Sequence, residues 1–354
     1  MLAEFVAAVL FVALNAYALL AGADFGGGVW ALWATGPRKA EQRELIAHAI
    51  GPVWEANHVW LILAIVLLFT GFPEAFARLG TFLHIPLSLV LIGIVLRGSA
   101  FTFWRYGGRE LGGTEEPEAG HGEAPARRWG AIFAGASLIT PLLLGMIVGA
   151  IASGAIGRGA ELRESGAGDV GQFLATYVAP WFNPFTVSVG AFALVAFAFL
   201  AAVYLTLETR DPELQEAFRR RALGAGVALF VVAAVALWLA ARYAPRVRDG
   251  LIFATWAAPL HALTAAAAIT ALVALVRRRW RTARRAAAAQ VSLILWGWAL
   301  SQYPYLVPPD LTIPGVAAPA ATLRLLLGAL ALGAAVLLPA LYYLFRVFKA
   351  ARAS

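Results

Sequence analysis

Long apolar runs alternate with short polar connections along the chain, and the runs are long enough to cross a bilayer. Nine spans are predicted, at about residues 5–33, 46–70, 79–104, 129–153, 184–207, 222–242, 251–276, 287–304 and 321–347. A helical span needs about 20 consecutive apolar residues. Lipid offers no partner to an unpaired backbone N–H or carbonyl, so only helices and closed barrels cross it. Runs of this length choose helices, and the fold class predicted is an all-α polytopic membrane protein.

Four spans precede the connection Gly157–Phe182 and five follow it, an arrangement of two four-helix bundles plus one additional helix. The corresponding division is residues 1–156, an external connection at 157–183, and residues 184–354. It rests on spacing, because no residue-level repeat is visible. Trp181-Phe182-Asn183-Pro184 reads as an interfacial anchor followed by a helix start. Gly107–Pro125, with Glu115, Glu116, Glu118 and His121, reads as a solvated polar loop.

Composition agrees with the pattern: 61% of the 354 residues are hydrophobic and 14% charged, and the mean hydropathy is +0.75. The formal charge of +8 sits in short clusters between apolar runs, which reads as a topology signal and leaves nucleic acid without support. Connections after odd-numbered spans carry Arg38, Lys39 and Arg43, then Arg105, Arg109, Arg127 and Arg128, then Arg210 and Arg219–Arg221, then the run Arg277–Arg285. Those after even-numbered spans are poorer in Lys and Arg, which predicts an external N-terminus and a cytoplasmic C-terminus. The first run has no basic flank, Glu4 being the only charge before Asp24, so it is expected to remain as a span rather than be cleaved as a signal peptide. With no cysteine, disulfides, thiolate metal sites, iron–sulfur clusters and covalently attached c-type haem are excluded.

Against this background the ionisable residues inside the runs are the candidates for chemistry, because a charge near the bilayer centre costs at least about 2.5 kcal/mol unless it faces protein or water. Asp24 lies about nine residues, or about 13 Å, from the inner end of the first span, in GADFGGGVW. Glu55, in GPVWEANHVW, has a similar depth if the second helix is continuous, and Arg97 on the third span falls in the same layer. Two readings stay open: a proton-uptake path from the cytoplasm, or a charge-neutralising carboxylate–arginine pair that locks the bundle. If Gly51-Pro52 instead starts the helix, Glu55 sits in a first turn near water. His58 shares a helix face with Glu55 and makes a relay with it. Asn57 offers an interhelical hydrogen bond, and Trp54 packing or interfacial anchoring. Haem ligation by this chain is disfavoured, because His48, His58, His84 and His261 lack the same-helix spacing of stacked haems. No metal site is predicted.

GADFGGGVW, GPVWEANHVW with the following FTGFPEAF at Phe69–Phe76, Arg97, Asn183-Pro184-Phe185 and WALSQYPYLVPPDLT at Trp298–Thr312 together resemble subunit II of the cytochrome bd quinol oxidases. The resemblance runs in order over nearly the whole chain. It implies an inner-membrane heterodimer that oxidises quinol and reduces dioxygen to water. Haems of b and d type would then belong to the partner, the haem-bearing subunit I, with no haem ligand or redox centre in this chain. It further admits a structural quinone, with no residue assigned to it, and small accessory subunits. Glu55 matches a family carboxylate assigned to a cytoplasmic proton channel, and Trp54, Asp24 and Arg97 match other characteristic positions. Glu55 stands where Asp is frequent, and Ala21 where many relatives carry a second acid. The competing reading is an independent proton-coupled transporter using Asp24 and Glu55, which would need a central cavity and repeat-related broken helices.

Overall fold

Prolines and short polar side chains set where many of the helices begin. In this computed structural model, residues 1–106, 123–164 and 169–350 are described, without the side chains at 52–55, 104–106, 123–127, 162, 164, 341 and 344–350. The polar segment Gly107–Pro125 therefore lies almost wholly outside the described residues. The first half runs α1 (Leu2–Leu32), α2 (Lys39–Gly71), α3 (Pro73–Phe82), α4 (His84–Tyr106) and α5 (Glu123–Ala152). Two short helices, α6 (Ala155–Glu164) and α7 (Val170–Tyr177), occupy much of the connection expected at 157–183. The second half runs α8 (Pro184–Glu208), α9 (Pro212–Tyr243), α10 (Pro245–Phe253), α11 (Ala257–Val276), α12 (Trp280–Gln302), the strands β1 (Tyr305–Val307) and β2 (Leu311–Thr312), and α13 (Ala320–Ala350).

The start predicted at Asn183-Pro184 is a capping box. Asn183 Oδ1 accepts from the backbone N–H groups of Phe185 and Thr186, and Thr186 Oγ1 accepts from Asn183 N. Pro184 sits in the first turn, where its missing N–H is not needed. Asp211 caps α9 in the same way, accepting from Glu213 N and Leu214 N.

Among the described residues seven helices are long and apolar enough to cross a membrane, and α2 makes an eighth as a bent pair. The expected spans correspond to α1, α2, α4, α5, α8, α9, α11, α12 and α13. The eighth of them, α12, opens on Arg281, Arg284 and Arg285, which shorten its apolar stretch. Helix boundaries differ from the apolar runs in an instructive way. Helix α2 starts at Lys39 rather than near 46, and α9 at Pro212 rather than near 222. Backbone hydrogen bonding continues through a polar helical turn, and only hydropathy stops at the membrane surface. The run expected at 79–104 is broken at Leu83 into α3 and α4, and that expected at 251–276 is broken after Phe253 into α10 and α11. Helix α2 is continuous but bends by 48° between Lys39–Gly51 and Ala56–Gly71. Pro52 between them has no N–H for the carbonyl one turn earlier, the ordinary cause of such a kink.

Helix α1 packs against α2, α5 and α8; α4 packs on α5; α8 on α9; and α12 on both α8 and α11, while α13 lies against α2 and α1. One apolar cluster runs from Val29 on α1 through α5, α8 and α9 to Val291 on α12. A second joins Val6 of α1 and Leu67 of α2 to α3, α6, the β1–β2 hairpin and Leu323 of α13. Gly145 belongs to the small-residue pattern Gly145/Gly149 and lies where α5 meets α8, since a Cβ there would stand 2.6 Å from the Val189 carbonyl oxygen.

Ion pairs tie together the connections at one end. Arg38, between α1 and α2, grips Asp211, between α8 and α9, through Nη1–Oδ1 at 2.9 Å and Nη2–Oδ2 at 2.7 Å. Arg38 also pairs with Glu41 and, at 2.9 Å, with Glu213. Arg278, between α11 and α12, reaches Glu216 of α9 at 3.4 Å. At the other end Arg78 of α3 bonds Asp310 of the hairpin at 3.1 Å. The basic connections after odd-numbered spans that are described thus share one face of the bundle.

Candidate functional site

Asp24 and Arg97, placed at one depth by the sequence, form an ion pair in the protein interior. Arg97 Nη2 lies 2.6 Å from Asp24 Oδ1, and its Nη1 donates to Oδ2 at 3.0 Å. Nη2 also donates to the Asp24 carbonyl at 2.9 Å, and Nε to Ser137 Oγ at 2.9 Å. The exposures of Asp24 and Arg97 are 0% and 3%. Ser137 in turn donates to the Phe133 carbonyl at 2.7 Å, so its hydroxyl is fixed as an acceptor towards the guanidinium. The Phe25 and Phe133 rings each lie 4.7 Å from the guanidinium carbon. A planar cation between two aromatic rings and bidentate to a carboxylate is the geometry that arginine supplies and lysine does not.

Four helices build this cluster: α1 carries Asp24 and Phe25, α2 Asn57, α4 Arg97, and α5 Phe133 and Ser137. Their close approach depends on the glycines after Asp24. A Cβ on Gly26 would run into the Phe197 carbonyl of α8, and one on Gly28 into Ser137 of α5. The glycine-rich element is therefore a packing surface that lets α1 lie against two helices at the level of the buried charge. Ser137, Phe133 and Phe25 were not singled out by the sequence. A serine four residues after a phenylalanine in an apolar helix has no local signature of a role, and only the fold points Arg97 at it.

Asn57, 1% exposed, donates through Nδ2 to Asp24 Oδ2 at a long 3.5 Å. The structure thus brings Asp24, Asn57 and Arg97 together. His58 follows Asn57 on α2 and is half-buried. Trp54 and Glu55 precede it in the helical stretch of α2, and their side chains lie outside the described residues.

His84 and His261 stand away from this cluster. His84 is exposed between α3 and α4, its Nδ1 2.9 Å from the Thr81 carbonyl oxygen and its ring 5.3 Å from Tyr177. His261 is exposed near the start of α11, its Nε2 2.7 Å from the Leu251 carbonyl oxygen. In each, a ring nitrogen is met by a backbone carbonyl oxygen of its own neighbourhood. Among the described residues no group of three or more His, Cys, Asp or Glu is placed to hold a metal ion.

The polar end of the bundle has its own electrostatics. Asp211 accepts from Arg38 and from the backbone of α9, and these hydrogen bonds hold its carboxyl well below the usual carboxylate range. The same contacts, led by Asp211 and Glu41, push Arg38 up.

The sequence matches the family described as cytochrome bd terminal oxidase subunit II over residues 2–348. It is 41% identical over 96 residues to cytochrome bd ubiquinol oxidase subunit 2 of Bacillus subtilis, a stretch covering 27% of each chain. It is 25% identical over 226 residues to a probable cytochrome oxidase subunit 2 of Haemophilus influenzae, covering 61% of this chain and 52% of that one. These matches thus span about a quarter and about half of the relatives' own lengths. The fold is similar to that in the structure of bd oxidase from Geobacillus thermodenitrificans, with a TM-score of 0.74, 23% identity and 98% of both chains covered. At that identity the likeness is one of fold.

Proposed function

Because the chain belongs to the cytochrome bd terminal oxidase subunit II family, we propose that it is the non-haem partner in a complex that oxidises quinol and reduces dioxygen to water. In this reading it supports assembly of the haem-bearing subunit I and supplies protons from the cytoplasm through Glu55 and His58. Haems of b and d type, when bound in the complex, carry the electrons. Asp24 with Arg97 is the fixed charge pair around which α1, α2, α4 and α5 are assembled, with Asn57 beside it, and Trp54 has a structural or interface role.

The observation that carries this division of labour is the saturation of Asp24. Both carboxylate oxygens and its carbonyl accept from Arg97. A carboxylate gripped in that way is matched by a cation that cannot give up its charge, which suits a fixed structural pair. Glu55 lies two residues before Asn57 and His58 one after it, so the backbone of α2 carries both titratable residues past the level of the buried pair. The division into a first bundle at 1–156 and a second at 184–354 with α13 additional rests on the order and spacing of the helices, and α8 packs against α1 and α5 across it. The grouping of basic connections at one end supports an external N-terminus and a cytoplasmic C-terminus in the inner membrane.

The test is Glu55→Gln in the intact complex. Oxygen-dependent quinol oxidation is expected to fall while haem content and subunit ratio stay at wild-type values. Unchanged turnover across the working pH range would remove Glu55 from the path. Isolation of the chain from its native membrane without a haem-bearing partner would sink the oxidase reading itself.

A further inference from the structure

The turn between α11 and α12 and the first turns of α12 carry six arginines in the nine residues 277–285, and their placement exceeds what a topology signal requires. A topology signal depends on the number of charges near a membrane end and not on their geometry. Here two of the six are used to immobilise the turn. Arg278 has a φ of 55°, the left-handed region that glycine ordinarily occupies at a helix C-terminus. The surrounding bonds are those of a glycine-terminated helix, Arg278 N to Leu275 O at 3.2 Å and Arg279 N to Ala274 O at 2.7 Å. The side chain at this disfavoured position reaches Glu216 on α9. Arg284 lies with its guanidinium carbon 5.0 Å from the Tyr204 ring of α8. The turn is therefore fastened to α8 and α9.

The other four, Arg277, Arg279, Arg281 and Arg285, are exposed. Glu216, the acid that reaches this turn, is already shared by Arg219, Arg220 and Arg278. Directly along α11 stand Val276 and Ile269, each 62% exposed, an apolar surface fit for acyl chains and not for water. Four guanidiniums, two on a fixed turn and two on the helix start that follows it, at the edge of a lipid-facing surface match the phosphodiester of an anionic lipid, which they can bind bidentately.

We infer that the α11–α12 turn is a seat for the phosphodiester headgroup of an anionic phospholipid in the adjoining leaflet. The inference does not depend on the oxidase reading or on Glu55. It is tested on the intact complex by native mass spectrometry after reconstitution with phosphatidylglycerol, comparing wild type with the Arg277→Gln, Arg279→Gln, Arg281→Gln, Arg285→Gln variant. Retention of phosphatidylglycerol is expected to weaken by roughly a thousandfold, the scale for loss of four juxtamembrane charges. The Arg158→Gln variant, changed at the opposite end, should retain lipid as wild type does. Equal retention by the fourfold variant would overturn the inference. Should that variant fail to assemble, hydrogen exchange of residues 277–285 in the wild-type complex decides. Protection in phosphatidylglycerol but not phosphatidylcholine nanodiscs is expected. Equal exchange in both, or equal protection by inorganic phosphate alone, would overturn the assignment to a lipid.

Discussion

Replacing Arg97 with glutamine removes the cation from a site that excludes water, and the structure indicates the scale of the loss. Among the described residues, Asp24 would keep the long hydrogen bond from Asn57 in place of its ion pair. Breaking a buried ion pair by removing one member costs about 3–5 kcal/mol, because the remaining charge is left uncompensated. Asp24→Asn is expected to cost a similar amount by stranding Arg97 between Phe25 and Phe133. Removing both charges is different, since a buried pair pays for its own desolvation and an uncharged replacement of similar size is close to neutral. The variant Asp24→Asn with Arg97→Gln should then lose about 2 kcal/mol, allowing for the void beside the two rings. The two single losses would sum to about 6–10 kcal/mol, so the cycle should return a coupling of at least about 4 kcal/mol. The assay is the thermal midpoint of the solubilised complex by size exclusion, with haem absorbance per protein as the measure of assembly. The reasoning is refuted if Arg97→Gln costs less than about 1 kcal/mol, or if the double variant is as unstable as the two singles combined. A double variant that assembles with full haem but turns over slowly would return Asp24 to the proton path.

Gly28→Ala should destabilise the complex by about 1–3 kcal/mol, because its Cβ collides with the Ser137 side chain and displaces the acceptor of Arg97 Nε; a wild-type thermal midpoint would contradict this. The chain has no native cysteine, so single cysteines report topology directly. Thr35→Cys is expected to react with a membrane-impermeant thiol reagent from the cytoplasmic side and Glu74→Cys from outside, and the reverse pattern would invert the orientation. Asp211 is held below its unfolded value by Arg38, so the stability it contributes is present above pH about 4 and is lost as pH falls through the depressed folded value. Arg38→Ala should therefore move the acid-induced opening of the α9 start to higher pH, read as hydrogen exchange at Glu213 and Leu214. An unchanged profile would show that the Arg38–Asp211 pair does not hold that end together.

The α8 start was legible because its information is local: Asn183 and Thr186 bond each other within the one turn that Pro184 opens. The common depth of Asp24 and Arg97 was legible for the same kind of reason, since rise per residue converts position along a span into depth. The bend in α2 was left open at Gly51-Pro52, because a proline marks a helix start and a kink equally well. The extra lengths of α2 and α9 were hidden by polar first turns, and the breaks at Leu83 and after Phe253 by apolar residues that continue across them.

Hydropathy by itself determined the membrane class, the approximate spans and the layer in which buried charge must be satisfied, since each follows from the transfer of a segment between water and lipid. Which carboxylate took the arginine was decided by tertiary structure. Glycines at 26 and 28 let α1 approach α5 and α8 closely, and that approach set Asp24 against Arg97 with Ser137 and two phenylalanine rings completing the site. Burial gives a charge its cost along the sequence, but its partner comes from another helix, and the direction in which each helix faces is fixed only when the helices pack.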